Sequence, residues 1–401
     1  MMTTMTMSKR NTIIITLAIS LAALALRLIL FEYASPDYNT FLLPWMNEFR
    51  EGGFLALKTT SSNYNLPYLY LLALFSYIPI RDLYLIKILS IILDYIIAFT
   101  MMGLIRSAGD KKKYLSLIIF ALTLFWPAIW LNSAYWAQCD SIYAALCLLA
   151  YAAAVRDKPI CSVLLAGLAF AFKLQTVFFL PVFVILWLDR RCRLWHAIFF
   201  PIPYVILSIP VLIMGWSPMR VIGVYTDQMG IYSDWLTLNA PNLFAILGVF
   251  EIPKYPWFWI GIIAAVVFVL LMFTIAIIKR NVMEEKNLSA FTLAICLGVV
   301  WLLPSMHDRY YYLADVFVIL FVALNPKRWY IAPFVMFGSL TGYHAYLVLG
   351  RLSNDLWLAA LILLAALIGT VASCIKDTAP RQSITLPNDN AEFNHPPYRP
   401  L

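Results

Sequence analysis

The sequence predicts an all-α, polytopic membrane protein with a bundle of about twelve transmembrane helices. Three observations predict it. Of the 401 residues, 63% are hydrophobic and only 12% charged, about half the charged fraction of a soluble domain. Apolar runs repeatedly reach the roughly 20 residues that a helix needs to cross the ~30 Å hydrocarbon core of a bilayer. Lysine and arginine gather between alternate runs, so the net charge of +8 reads as membrane topology rather than as a nucleic-acid footprint.

Lys9 and Arg10 precede the first run, 11–31, which therefore enters from the cytoplasm. It has no small-x-small cleavage site before Asp37 and reads as a retained anchor. Asp37 then lies at the outer face, within FEYASPDYNTFLLPW. Phe41, Leu42, Trp45, Met46 and Phe49 recur at helical spacing against Asn47, Glu48, Arg50 and Glu51, predicting a helix that lies on the membrane over 40–58 and is broken by Gly52-Gly53. The apolar stretch 66–80 reads as juxtamembrane or re-entrant, because counting it as a crossing would put Arg106 and Lys111–Lys113 outside. Spans follow at 83–105, 114–130 and 139–151, the last reaching the inner Arg156-Asp157-Lys158. The run 159–188 is too long for one crossing and is expected to be two, folded at an outer tip near Lys173 and Gln175.

After the inner loop 189–193, the run 194–215 leads out to a long outer segment, 216–257. Spans 258–278, 288–303, 311–324, 330–348 and 357–375 complete the set. Residues 1–376 read as one domain with outer loops 32–82 and 216–257, and the polar, Pro-rich 377–401 as a disordered cytoplasmic tail. On this topology nineteen lysines and arginines fall inside and eight outside. The six cysteines show no CxxC and lie mostly in apolar runs, as buried small hydrophobes do, and the four histidines are scattered, so no metal site is read.

The polar clusters fall at the outer surface: Asp37-Tyr38, Asn63-Tyr64-Asn65, LNSAYWAQCDS (131–141), FKLQ (172–175), LNAPN (238–242) and HDRY (307–310). Ionisable groups at the hydrocarbon boundary cost about 2.5–3.5 kcal/mol each, so Lys173, Asp140 and Arg309 need compensation. Each has a bland reading. Lys173 can snorkel, Arg309 can pair with its neighbour Asp308, and Asp140 can cap the span beside it. Their gathering on one face favours a polar cavity.

The ordered blocks SPDYNTFLLPW, NSAYWAQCDS, AFKLQTVFFLP, LNAPNLFAILG and MHDRYYYLADVF resemble the bacterial relatives of the second GPI mannosyltransferase, within the GT-C class of glycosyltransferases. The resemblance covers about 37–317. Ala137 stands where the WGQ form of the motif has glycine, and Asp308 where HERY has glutamate. The resemblance implies a GT-C-type fold and inverting transfer from a polyprenyl-phosphate sugar to a glycan, glycolipid or protein acceptor. It implies Asp37 as general base, since inversion in one displacement requires a group to take the acceptor's proton and others to hold the departing phosphate. Arg309 and Lys173 are the expected phosphate partners, with His307 as an added donor.

Asn132, Gln138, Asn239 and Asn242 are suited to sugar hydroxyls and Trp136 to stacking, with Tyr38, Tyr64, Asn65, Gln175, Asp308 and Tyr310 completing the expected sugar and acceptor contacts. Trp136 reads equally as an interfacial belt residue, and Asn239 with Asn242 as a turn and helix cap. Asp140 could orient Lys173 or help a divalent cation, although no DxD motif accompanies Asp37. No other cofactor is implied; the expected partners are membrane lipids, the lipid-linked donor and the acceptor, with no nucleic acid, in a bacterial inner membrane with the site facing outward. A flippase or transporter of lipid-linked saccharide, or a polysaccharide polymerase, is the alternative reading.

Overall fold

A computed structural model describes residues 8–107, 109, 113–188, 191–231, 234–250, 252–279, 282, 284–350 and 356–376. The tail 377–401 and part of the basic loop, Lys111 and Lys112, lie outside them. The chain is helical almost throughout. Helix α1 (Lys9–Ile29) is capped by Ser8, whose side chain accepts from Asn11 N–H. The expected surface helix forms in three pieces: a wide π turn (Tyr38–Leu42), α2 (Leu43–Gly52) and a 3-10 turn (Gly53–Lys58). Leu42, Trp45, Met46 and Phe49 face inward as their spacing predicts, while Phe41 stays exposed. Gly53 ends α2 at φ 54°, in the left-handed region where a side chain is strained.

Helix α3 (Leu66–Phe75) has 10 residues, about 15 Å of rise, half of what a crossing needs. Helix α4 (Asp82–Ser107) runs unbroken for 26 residues. The span expected at 114–130 is instead bent: α5 (Lys113–Phe125) and α6 (Pro127–Trp130), continued by a π turn (Leu131–Tyr135), meet at 45°. Pro127 lacks the N–H that would continue α5. Helices α7 (Asp140–Val155) and α8 (Pro159–Phe172) pack against each other, Ser162 Oγ donating to the Ala150 carbonyl at 2.7 Å, and both carry buried alanines, small residues that allow close approach where lipid gives no hydrophobic drive to association.

Lys173, extended at φ −154° and ψ 131°, breaks the 159–188 run where two spans are expected to fold, and a 3-10 turn (Leu174–Phe178) leads into α9 (Pro181–Leu188). Next come α10 (Ile202–Ile213), α11 (Pro218–Ile231), α12 (Leu243–Leu247), α13 (Lys254–Ile278), α14 (Glu285–Leu302), α15 (Tyr312–Leu324), α16 (Ile331–Leu347) and α17 (Trp357–Lys376).

Six helices are long and apolar enough to cross a membrane, or seven counting the bent pair as one, among the described residues. This is the build of an integral membrane protein. Five shorter apolar helices, including α7, α8 and α15, join them. Burial orders the bundle: 83% of the apolar stretch of α14 is buried against 11% for α1, so α14 is central and α1 offers Ile13, Leu17 and Leu21 outward. Two short strands complete the fold. β1 (Thr237–Leu238) and β2 (Met306–His307) pair in parallel, Thr237 opposite Met306 and Leu238 opposite His307.

Candidate functional site

Asp37 is fixed by what ends α1. The carbonyls beyond a helix C-terminus lack intrahelical partners, and here Lys87 Nζ of α4 donates to three of them, Leu30, Phe31 and Tyr33, at 2.8, 3.0 and 2.7 Å. Tyr33 stacks on Tyr135 at 3.9 Å between ring centroids. Ser35 Oγ donates to the Trp136 carbonyl at 2.6 Å and accepts from Tyr38 N–H at 3.1 Å. The segment before Asp37 is thus laid along the segment after the second π turn. Trp136 Nε1–H and Gln138 Nε2–H then donate to Asp37 Oδ2 at 3.0 and 2.6 Å. Tyr346, in the last turn of α16, donates its hydroxyl to Oδ1.

The cations arrive from the other side. The β1–β2 pair ties the LNAPN segment to MHDRY, reinforced by Ser305 N–H to the Leu236 carbonyl at 2.9 Å and Tyr311 OH to the Pro241 carbonyl at 3.1 Å. Arg309 follows β2 and sits among three carboxylates: Nη1 lies 3.7 Å from Asp37 Oδ2 and 3.4 Å from Asp308 Oδ1, and Nε lies 3.6 Å from Asp140 Oδ2. Its guanidinium also lies over the Trp136 ring, 5.2 Å from the centroid. Lys173 Nζ pairs with Asp140 Oδ1. Asp140, in the first turn of α7, takes Asn132 Nδ2–H on Oδ2 at 2.8 Å.

Burial pushes the Asp308 carboxyl up to about 7, with Arg309 opposing and Asp37 adding to the shift. Burial, then the neighbouring charges of Arg309 and Lys173, hold His307 well below the usual imidazole range. His307 therefore serves at neutral pH through an N–H rather than a charge.

These groups surround a cavity of about 310 Å³. Of the residues expected from sequence, Asp37, Tyr64, Asn65, Gln138, Lys173, Gln175, Asn239, His307, Asp308, Arg309 and Tyr310 line it. The other five lie behind its wall. Trp136 is fully buried, its N–H on Asp37 and its ring stacked on Tyr346 at 5.0 Å, so it holds the carboxylate and offers no open face to a sugar. Asn132 bonds Asp140 and Tyr343 OH. Asn242 caps α12, accepting from Phe244 and Ala245 N–H, which is the cap reading of that asparagine.

Tyr38 packs into the cluster of Leu42, Trp45 and Leu83 and does not itself line the cavity. Asp140 orients Lys173 and Arg309, and both its oxygens are engaged. Among the described residues no group of three or more His, Cys, Asp or Glu is spaced to hold a metal ion.

Sequence reasoning missed Tyr346, Gln228 and the apolar lining. Gln228 of α11 donates to the Asn63 carbonyl at 2.6 Å and Asn65 Oδ1 at 3.0 Å. Phe41, Leu42, Trp45, Phe172 and Leu174 make part of the wall apolar. Tyr346 ends an apolar run, where a tyrosine reads as an interfacial anchor. Three buried side-chain amide atoms on cavity-lining residues have no hydrogen-bond partner, Asn65 Nδ2, Gln138 Oε1 and Gln175 Oε1, and neither has Arg309 Nε. A buried amide pairs with something in nearly every native protein, so this wall asks for a ligand or water bearing both donors and acceptors. The chain matches no protein-family model and no curated protein.

Proposed function

We propose that the cavity is the active site of a membrane glycosyltransferase that moves a sugar, of mannosyl type, from a polyprenyl-phosphate donor to an acceptor hydroxyl with inversion. The observation that carries this reading is the convergence, in one cavity, of a buried carboxylate, two cations and unpartnered amides. Asp37 takes the acceptor's proton as its oxygen bonds to the anomeric carbon; the bond from that carbon to the phosphate oxygen breaks, and the electron pair leaves with the lipid phosphate. Arg309, Lys173 and the His307 N–H receive that charge, Arg309 by paired hydrogen bonds and Lys173 as a point charge. Asn65, Gln138 and Gln175 meet sugar hydroxyls, which supply both donors and acceptors.

The mixed wall suits a substrate with a charged head on an apolar chain. Ala137 supports the resemblance to GT-C enzymes: its φ of 64° is a backbone conformation that the glycine of the WGQ form adopts without steric cost. On this reading α7, α8, α9 with the 3-10 turn before it, α15 and α16 join the seven longer spans to make twelve crossings, and the cavity faces outward from a bacterial inner membrane, where lipid-linked sugars meet their acceptors.

The test is purified protein in lipid with radiolabelled polyprenyl-phosphate mannose and other polyprenyl-phosphate sugars, offered with a panel of glycan, glycolipid and peptide acceptors. Asp37→Asn is expected to cut transfer ~10²–10⁴-fold, the usual worth of a general base. Arg309→Ala should weaken donor use more than acceptor use. No transfer from any lipid-phosphate sugar, or undiminished transfer by Asp37→Asn, would overturn the reading; lipid-linked sugar moved across vesicles without transfer would mark a flippase.

A further inference from the structure

Asp37 is held unevenly. Trp136 and Gln138, both buried, occupy Oδ2. Oδ1 is occupied by the hydroxyl of Tyr346, a half-buried residue that itself lines the cavity. Tyr346 comes from the far end of the chain and rests its ring on Trp136, nearly parallel at 18°. The two oxygens therefore have different neighbours: Oδ2 takes two N–H groups and lies 3.7 Å from Arg309 Nη1, whereas Oδ1 takes the O–H group of a residue that lines the cavity.

That geometry has a chemical consequence. A base accepts a proton through a lone pair, and a carboxylate oxygen already receiving a hydroxyl proton is a poorer acceptor for a second one. An acceptor sugar presents the same kind of group as Tyr346, a hydroxyl, and must present it at the same place.

We propose that Tyr346 is a positioning residue that covers Asp37 Oδ1 in the empty and donor-loaded protein and gives up that place only to the hydroxyl of a bound acceptor. The inference rests on the reading of Asp37 as the base. It explains how a site holding an activated donor next to a base avoids spending the donor on water. Water binds too weakly to displace a phenol stacked on Trp136, whereas an acceptor held by the amide wall brings its own binding energy to the exchange. When water does enter, its proton passes to Asp37 as its oxygen bonds to the anomeric carbon, the phosphate departs, and the products are free sugar and lipid phosphate.

Tyr346→Phe keeps the ring on Trp136 and removes only the hydroxyl. Two readouts are taken on the full-length protein in detergent. The first is the rate at which a carboxyl-selective diazo reagent esterifies Asp37, followed by mass spectrometry of its peptide. The second is the ratio of donor hydrolysis to transfer. The variant should esterify Asp37 several-fold faster than wild type and raise the ratio about tenfold.

Equal esterification rates overturn the proposal, and so does a parallel fall in hydrolysis and transfer, which a purely structural role would cause. Tyr346→Leu, lacking ring and hydroxyl, provides a second route to the same labelling comparison should the Phe variant fail to fold. If the wild type turns over no lipid-phosphate sugar, the transferase reading falls, and the esterification rates alone decide whether Tyr346 shields Asp37.

Discussion

Asp308 controls the charge of the cavity near neutral pH. Its carboxyl is raised from its ordinary 3.8 to about 7 by burial, against the opposing pull of Arg309. The folded protein thus holds this proton more tightly than the unfolded chain, and the stability Asp308 contributes falls as pH climbs from about 4 towards 7. On the proposed transferase reading, the same proton decides whether a third carboxylate faces an incoming phosphate. A prenyl phosphodiester has no titration of its own near neutrality, so its affinity is expected to drop about tenfold between pH 6 and 8, the effect of one unit charge placed nearby at intermediate dielectric. Asp308→Asn should flatten both that curve and the fall in melting temperature. A pH-dependent affinity surviving in the Asn variant would assign the titration elsewhere. At this scale the ionisable residues were legible, because a charge at the edge of an apolar run is too costly to be incidental. Trp136 and Tyr346 were not, since whether an aromatic ring meets a sugar or holds a carboxylate depends on partners 99 and 309 residues away.

Helices are where sequence reading succeeds, and junctions are where it fails. Apolar length marked α1, α4, α13, α14 and α17, and an overlong run containing Lys173 marked the break between α8 and α9. The β1–β2 pair left no trace, because strands of two residues carry no period to detect. Yet that pair, with α16 beneath it, brings His307, Asp308 and Arg309 beside Asn239. Gly342 of α16 permits the approach: a Cβ there would stand 2.7 Å from the Asp308 carbonyl oxygen and 2.8 Å from that of Asn239. Both are backbone atoms of segments tied to each other, so neither yields easily. Gly342→Ala is therefore expected to cost ~1–3 kcal/mol, as overpacking does, and to lower donor affinity by displacing Arg309. Gly223→Ala on α11, where a Cβ meets nothing within 4 Å, is the matched control. Equal melting temperatures for the two variants would show that the loops are not seated on α16 as described.

The bundle as a whole is held by polar ties placed inside it, since lipid gives helices no hydrophobic reason to associate. Trp126 Nε1–H and Ser339 Oγ–H both donate to Asp315, joining the bend before α6 to α15 and α16 at 2.8 and 2.6 Å. The most demanding tie is Arg27 with Asp94, both fully buried. Arg27 donates from Nε and Nη2 to Asp94 Oδ2 at 3.1 and 2.9 Å, and from Nη1 to the carbonyls of Ala23 and Leu124; Ser133 Oγ adds a third donor to Oδ2 at 2.6 Å. Through this pair the peripheral α1 is anchored to α4, α5 and the π turn before Trp136. Helix α1 delivers the Lys87-held segment that ends in Asp37, so a loosened α1 should cost activity before it costs the fold. Asp94→Ala leaves a buried cation unpaired and is expected to destabilise by ~3–5 kcal/mol, whereas a pair replaced by apolar side chains of similar volume is often close to neutral. Thermal unfolding in detergent should therefore rank the double variant Arg27→Met with Asp94→Leu well above either single one. Should the double variant melt as low as Asp94→Ala, the carbonyl and hydroxyl bonds of the two side chains, rather than their charges, would be what anchors α1.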